Sequence, residues 1–99
     1  MTDFRIEVEP VEQMRDMFEE GANQLEDTFS ELQNIVSMAS EGQAFLGDGG
    51  DAFVDAILNV LCPRVSEMTA KFREMRADLQ GALDIASGAD MNASTRFRD

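Results

Sequence analysis

The chain has 99 residues, 20 acidic against 8 basic, with no His, Trp or Tyr and a formal net charge of −12. That length makes one domain, and that charge counts against nucleic acid or anionic membrane surfaces as partners. With Cys62 as the single cysteine, no disulfide can form within the chain.

Residues 1–9 alternate, with Phe4, Ile6 and Val8 apolar around Arg5 and Glu7. A lone strand has nothing to pair with, so the stretch reads as an extended arm. It has neither the basic nor the apolar region of a signal peptide, and no apolar run approaches the roughly 18 residues of a bilayer span. The chain is therefore expected to be cytoplasmic when made, and any secretion to proceed without a cleaved signal peptide.

Pro10 suits the first turn of a helix, and Glu9 and Glu12 suit its positive end. The first helix is predicted over 10–41. Val11, Phe18, Leu25, Leu32 and Ala39 recur every seven residues, with Met14, Gly21, Thr28, Ile35 and Gly42 between them. Met17, Ala22, Phe29, Val36 and Met38 widen the stripe. A seam this wide can meet more than one neighbouring helix. The opposite face is acidic, and residues 10–42 hold eight acids and one base.

Residues 42–50 carry four of the seven glycines and read as the turn of a helical hairpin. Two large apolar side chains, Phe45 and Leu46, sit inside this turn, where solvent exposure alone would not call for them. Asp48 or Asp51 offers a cap for the helix that follows.

The second helix is predicted over 51–86. Val54, Leu58, Leu61, Val65, Met68, Phe72, Met75, Leu79, Ala82 and Ala86 step by four and three, as antiparallel helix packing requires. Phe53, Ile57 and Val60 add a second apolar row to its first half. Pro63 removes a backbone donor and crowds the carbonyl of Asn59, so a kink is expected there, with the stripe passing through in register. Residues 87–99 read as a fraying tail. The predicted architecture is all-α: one antiparallel two-helix hairpin domain, 1–99. Its widened flanks call for dimerisation into a four-helix bundle.

No catalytic constellation emerges. Cys62 reads as a small apolar residue beside the seam. Asp48, Asp51 and Asp55 lack the ligand order and closing glutamate of a calcium loop. The glycines have no lysine after them and no strand before them, so they form no phosphate loop. No cofactor or metal is expected. Arg64, Lys71, Arg73 and Arg76 match the acids of the first helix, within the hairpin or between subunits.

The length, the central turn and the two long helices together resemble the Esx/WXG family of type VII secretion substrates. In that family a Trp-x-Gly turn joins two helices, and hairpins pair into antiparallel four-helix dimers. The motif falls on Phe45, Leu46 and Gly47, with Phe45 in place of the tryptophan. The family's export signal, Tyr-x-x-x-Asp/Glu, has its nearest spacing at Ala86 and Asp90, which keeps the acid and lacks the aromatic. The resemblance implies a non-enzymatic protein acting through a homodimer or heterodimer with a second hairpin, in company with a type VII secretion ATPase or a larger toxin. The alternative is a cytosolic helical adaptor or chaperone for a secreted toxin or other substrate. The dimer or hairpin seam is then expected to comprise Val11, Phe18, Leu25 and Leu32 with Val54, Leu58, Leu61, Val65, Met68, Phe72, Met75 and Leu79.

Overall fold

The first helix begins earlier than its proline suggests, because proline is tolerated anywhere in a turn whose N–H groups lack intrahelical acceptors. In the computed structural model, which describes residues 6–41 and 48–88, α1 spans Val8–Glu41. Its opening bond runs from the Val11 N–H to the Glu7 carbonyl at 3.2 Å. Val8 and Glu9, expected in the arm, are thus helical, and residues 1–5 lie outside the described part. At 1.5 Å per residue α1 is about 50 Å long.

The return limb also starts early. α2 spans Asp48–Ala56, so Gly49 and Gly50 belong to its first turn. A π-helical segment, Ile57–Leu61, follows without a break, and α3 continues over Cys62–Ala86. Among the described residues the molecule is helical and has no strand: an all-α hairpin of one long helix and one interrupted helix. Residues 42–47 of the expected turn and residues 89–99 of the expected tail lie outside the described residues.

The π segment explains how Pro63 is accommodated. A proline nitrogen has no hydrogen to donate, so the α ladder must lose a bond at that point. The chain widens one turn earlier, and the Cys62 N–H donates to the Ile57 carbonyl five residues back. A π turn of this kind inserts one extra residue into the helical phase. Before it, the buried side of the limb is Gly50, Val54 and Ile57. After it, the buried or half-buried side is Cys62, Val65, Thr69, Phe72, Arg76, Leu79 and Leu83. The expected uninterrupted stripe is therefore corrected. Leu58, Leu61, Met68 and Met75 are exposed and do not belong to the seam between the two limbs.

The facing seam on α1 follows the same four-three rhythm: Val11, Arg15, Phe18, Ala22, Leu25, Phe29, Leu32, Val36 and Ala39, all buried or half-buried. The expected intermediate row, Met14, Thr28 and Ile35, is exposed instead. Phe18 meets Phe72 edge to face, with ring centroids 5.4 Å apart and planes at 87°. Small side chains occupy the tightest places, with Ala22 1% exposed and Ala39 8%. Among the described residues, no large side chain is completely buried. That is what two helices can achieve, since each is covered on one side only.

The last turn closes on glycine. Gly88 takes φ 62°, the left-handed conformation in which a side chain is disfavoured. Its N–H donates to the Ile85 carbonyl at 3.2 Å, and the Ser87 N–H donates to Leu83 at 2.9 Å. Gly81, inside α3, has open space where a Cβ would stand. The two glycines should respond oppositely to alanine. Gly88→Ala is expected to destabilise the chain by about 1 kcal/mol. Gly81→Ala is expected to stabilise it by about 0.5–1 kcal/mol, because a mid-helix glycine is conformationally costly. Thermal unfolding of the two variants checks both signs.

Candidate interaction surface

A four-three seam leaves two flanks on each helix, and in an antiparallel pair the corresponding flanks fall on the same side. The hairpin thus has two long edges, and the residues assign them opposite characters.

One edge is charged and internally satisfied. Arg73 Nη2 lies 2.9 Å from Glu26 Oε1, and Arg76 Nε lies 2.9 Å from Glu19 Oε1. Arg15 bridges the two limbs, donating from Nη1 to Gln80 Oε1 on α3 at 3.0 Å, and also donates from Nε to its neighbour Asp16 at 2.9 Å. Gln80 in turn donates to Asp84 at 2.9 Å. The guanidinium of Arg73, hydrogen-bonded to Glu26, holds that carboxyl below its ordinary value, while the same bond raises Arg73. An open groove of about 990 Å³ runs here, past Glu26, Phe29, Thr69 and Arg73. Among the described residues no side-chain polar atom is buried without a partner. Arg15 and Arg76 are half-buried seam members, and Thr69 is buried with its hydroxyl donating to the Val65 carbonyl at 2.8 Å. Sequence reasoning passes over these three because they are polar; their spacing from Phe18, Phe72 and Leu79 is the signal that places them.

The other edge is apolar and, among the described residues, uncovered. It consists of the residues one position before the inner seam row: Met14, Gly21, Thr28 and Ile35 on α1, with Leu61, Met68, Met75 and Ala82 on the return limb. Met14, Ile35, Leu61, Met68 and Met75 are each between 41% and 51% exposed. Met17 and Met38, one row further out on α1, are 68% and 70% exposed. The contacts between Arg73 and Glu26 and between Arg15 and Gln80 set the register. In that register Met75 stands level with Gly21, Met68 with Thr28 and Leu61 with Ile35.

Of the seam positions expected from spacing, Val11, Phe18, Leu25, Leu32, Val54, Val65, Phe72 and Leu79 are half-buried between the two limbs. Leu58, Leu61, Met68 and Met75 lie outside the seam, on the exposed surface. Phe45, Leu46, Gly47 and Asp90 fall outside the described residues. Ala86 is the exposed last residue of α3. Cys62 is a free, buried thiol at the start of the α3 seam. Among the described residues, no three His, Cys, Asp or Glu side chains converge as a metal site, and no helix is long and apolar enough to cross a membrane.

No family model, no curated protein and no solved structure matches the chain.

Proposed function

We propose that the protein is a non-enzymatic, Esx-like helical hairpin that works by pairing with a second hairpin, and that it is exported by, or acts with, a type VII secretion system. The observation that carries the pairing part is the apolar edge. Five large side chains at helical spacing remain about half exposed along one side of a molecule whose other side is ion-paired. An exposed apolar surface of that continuity marks a protein interaction site. The export part rests on the resemblance of Phe45-Leu46-Gly47 and its surroundings to the Trp-x-Gly turn.

A second reading has its own support. Ala86 occupies the place where the family's export signal has an aromatic, and the exposed edge is rich in methionine, the side chain that adapts best to varied apolar partners. On that reading the hairpin is a cytosolic adaptor that shields an apolar segment of a secreted toxin.

The two readings separate in the host cell. The extracellular and intracellular levels of the tagged chain are compared with and without the secretion ATPase. An Esx-like substrate disappears from the medium when the ATPase is deleted. A chain that stays inside in both strains, while a co-expressed secreted partner depends on it, is the adaptor.

A further inference from the structure

Two stripes run along the return limb, and they share Val54, Val65, Phe72 and Leu79. The hairpin buries or half-buries the one that adds Ile57, Cys62, Thr69 and Arg76. The other adds Leu58, Leu61, Met68 and Met75, and it is left exposed. The exposed set is the more hydrophobic, since it holds neither threonine nor arginine. Burial of apolar surface favours that set, so another contribution must select the phase that the hairpin uses.

The π turn is where the selection is made. Its extra residue amounts to roughly 100° of helical rotation. Removed and shared between the two halves of the limb, it turns each by about 50°, which is the angle between the two stripes. A limb that is α-helical throughout therefore carries Leu58, Leu61, Met68 and Met75 into the seam and Ile57, Cys62, Thr69 and Arg76 out of it. The seam has room for the exchange. The Phe72 ring now lies against Gly21; as α3 turns, the ring moves off that glycine and Met75, level with it, moves in. Thr69 takes its acceptor with it, because its hydroxyl bonds the Val65 carbonyl of the same helix. Arg76 passes from the seam to the charged edge, where Glu19 stands. What a continuous α-helix does not accommodate is Pro63, whose ring crowds the Asn59 carbonyl and leaves it without its donor.

We infer that Pro63 is a phase lock. By holding the π turn in place it keeps Leu61, Met68 and Met75 displayed on the apolar edge and prevents the hairpin from withdrawing them into its own seam. The ion pair of Arg73 with Glu26, at 2.9 Å, is a second and weaker latch, because the same rotation carries Arg73 away from Glu26. Pro63 is itself exposed and outside the seam, so it acts through the backbone and not through packing. The lock belongs to a single hairpin and does not depend on what covers the edge.

The test is Pro63→Ala, which restores the missing N–H and removes the crowding at Asn59. It is read on side chains the chain already has, with the protein diluted until it sediments as a single 11.0 kDa chain. Cys62 is the one thiol and is 6% exposed. Its reaction with Ellman's reagent, normalised to the urea-unfolded chain, should become about tenfold faster in the variant. Hydroxyl-radical oxidation of Met68 and Met75, followed by mass spectrometry, should slow severalfold. Met17 and Met38, far out on α1, should not change and serve as the reference. Adding Met68→Gln and Met75→Gln to Pro63→Ala makes the alternative seam polar and should return Cys62 to its slow rate. An unchanged thiol rate overturns the phase lock. A thiol and methionines that all react faster mean a loosened helix instead of a turned one, and overturn it equally. So does a triple variant whose thiol stays fast. Failure of the hairpin to bind any partner alters none of these rates, so the lock and the pairing reading stand or fall separately.

Discussion

Ile57→Ala is expected to lower the unfolding free energy by about 3 kcal/mol, on the scale of buried Ile truncations, whereas Leu61→Ala should lower it by about 1 kcal/mol or less. Ile57 is 4% exposed and Leu61 45%. The contrast is informative because the apolar spacing alone ranks the two the other way, with Leu61 on the main stripe and Ile57 on a secondary row. What reverses them is the π segment. The extra residue rotates everything after Leu61 by one position, so Cys62 enters the seam and Leu61 leaves it. Urea denaturation at low micromolar concentration, where any self-association is minimal, measures the cost within a single hairpin. Equal costs for the two truncations would mean that the return limb keeps one phase throughout and that the widened turn before Pro63 does not set the packing. If the apolar edge pairs as proposed, the ranking should narrow when the partner is present, since Leu61 lies on that edge.

Phe72→Ala is expected to cost about 3 kcal/mol and to reverse the sign of a second substitution, Gly21→Ala. A Cβ built on Gly21 would stand 2.7 Å from Cε2 and 2.8 Å from Cδ2 of Phe72. The ring is already held edge to face against Phe18, so it cannot yield without losing that contact. Helix propensity favours alanine over glycine by about 1 kcal/mol. Overpacking of this closeness costs about 1–3 kcal/mol. The clash outweighs the propensity gain, and Gly21→Ala alone should destabilise the hairpin by about 1 kcal/mol. In the Phe72→Ala background the obstacle is gone and the same substitution should stabilise by about 0.5–1 kcal/mol. A double-mutant cycle of denaturation midpoints gives the coupling directly. A sign that is the same in both backgrounds would mean the helices do not approach as closely as Gly21 and Phe72 indicate.

The hairpin itself is legible in the sequence because helical periodicity is a redundant signal. Val11, Phe18, Leu25 and Leu32 repeat without exception, and the glycine cluster lies between two such segments. The starts of both limbs fall two or three residues before their predicted places: Val8 carries no helix-starting signature, and of the two aspartates offered at the second start the helix begins at the earlier, Asp48. The phase of α3 escapes sequence reading for a more instructive reason. Two stripes compete along it and share Val65, Phe72 and Leu79. One adds Leu61, Met68, Met75 and Ala82; the other adds Cys62, Thr69, Arg76 and Leu83. Hydrophobicity selects the first, and the hairpin uses the second. Pro63 is the visible warning, since a proline inside a helix can be absorbed by a change of phase as well as by a bend. Thr69 and Arg76 are tolerated in the seam because the hydroxyl bonds its own backbone and the guanidinium reaches Glu19. The apolar edge shows in the sequence only as a stripe too wide for one neighbour. Which residues form it depends on a phase that spacing does not fix.

The unlike edges of the hairpin also bound how far it can assemble. A body with two adhesive sides can add neighbours at both and grow into a ribbon or fibre. The proposed pairing uses one side, and on the opposite side Arg73 and Arg76 are ion-paired with Glu26 and Glu19. Its valence is one. On the proposed pairing through the apolar edge, association is expected to stop at a discrete pair, because the ion pairs on the opposite side are already engaged within the hairpin.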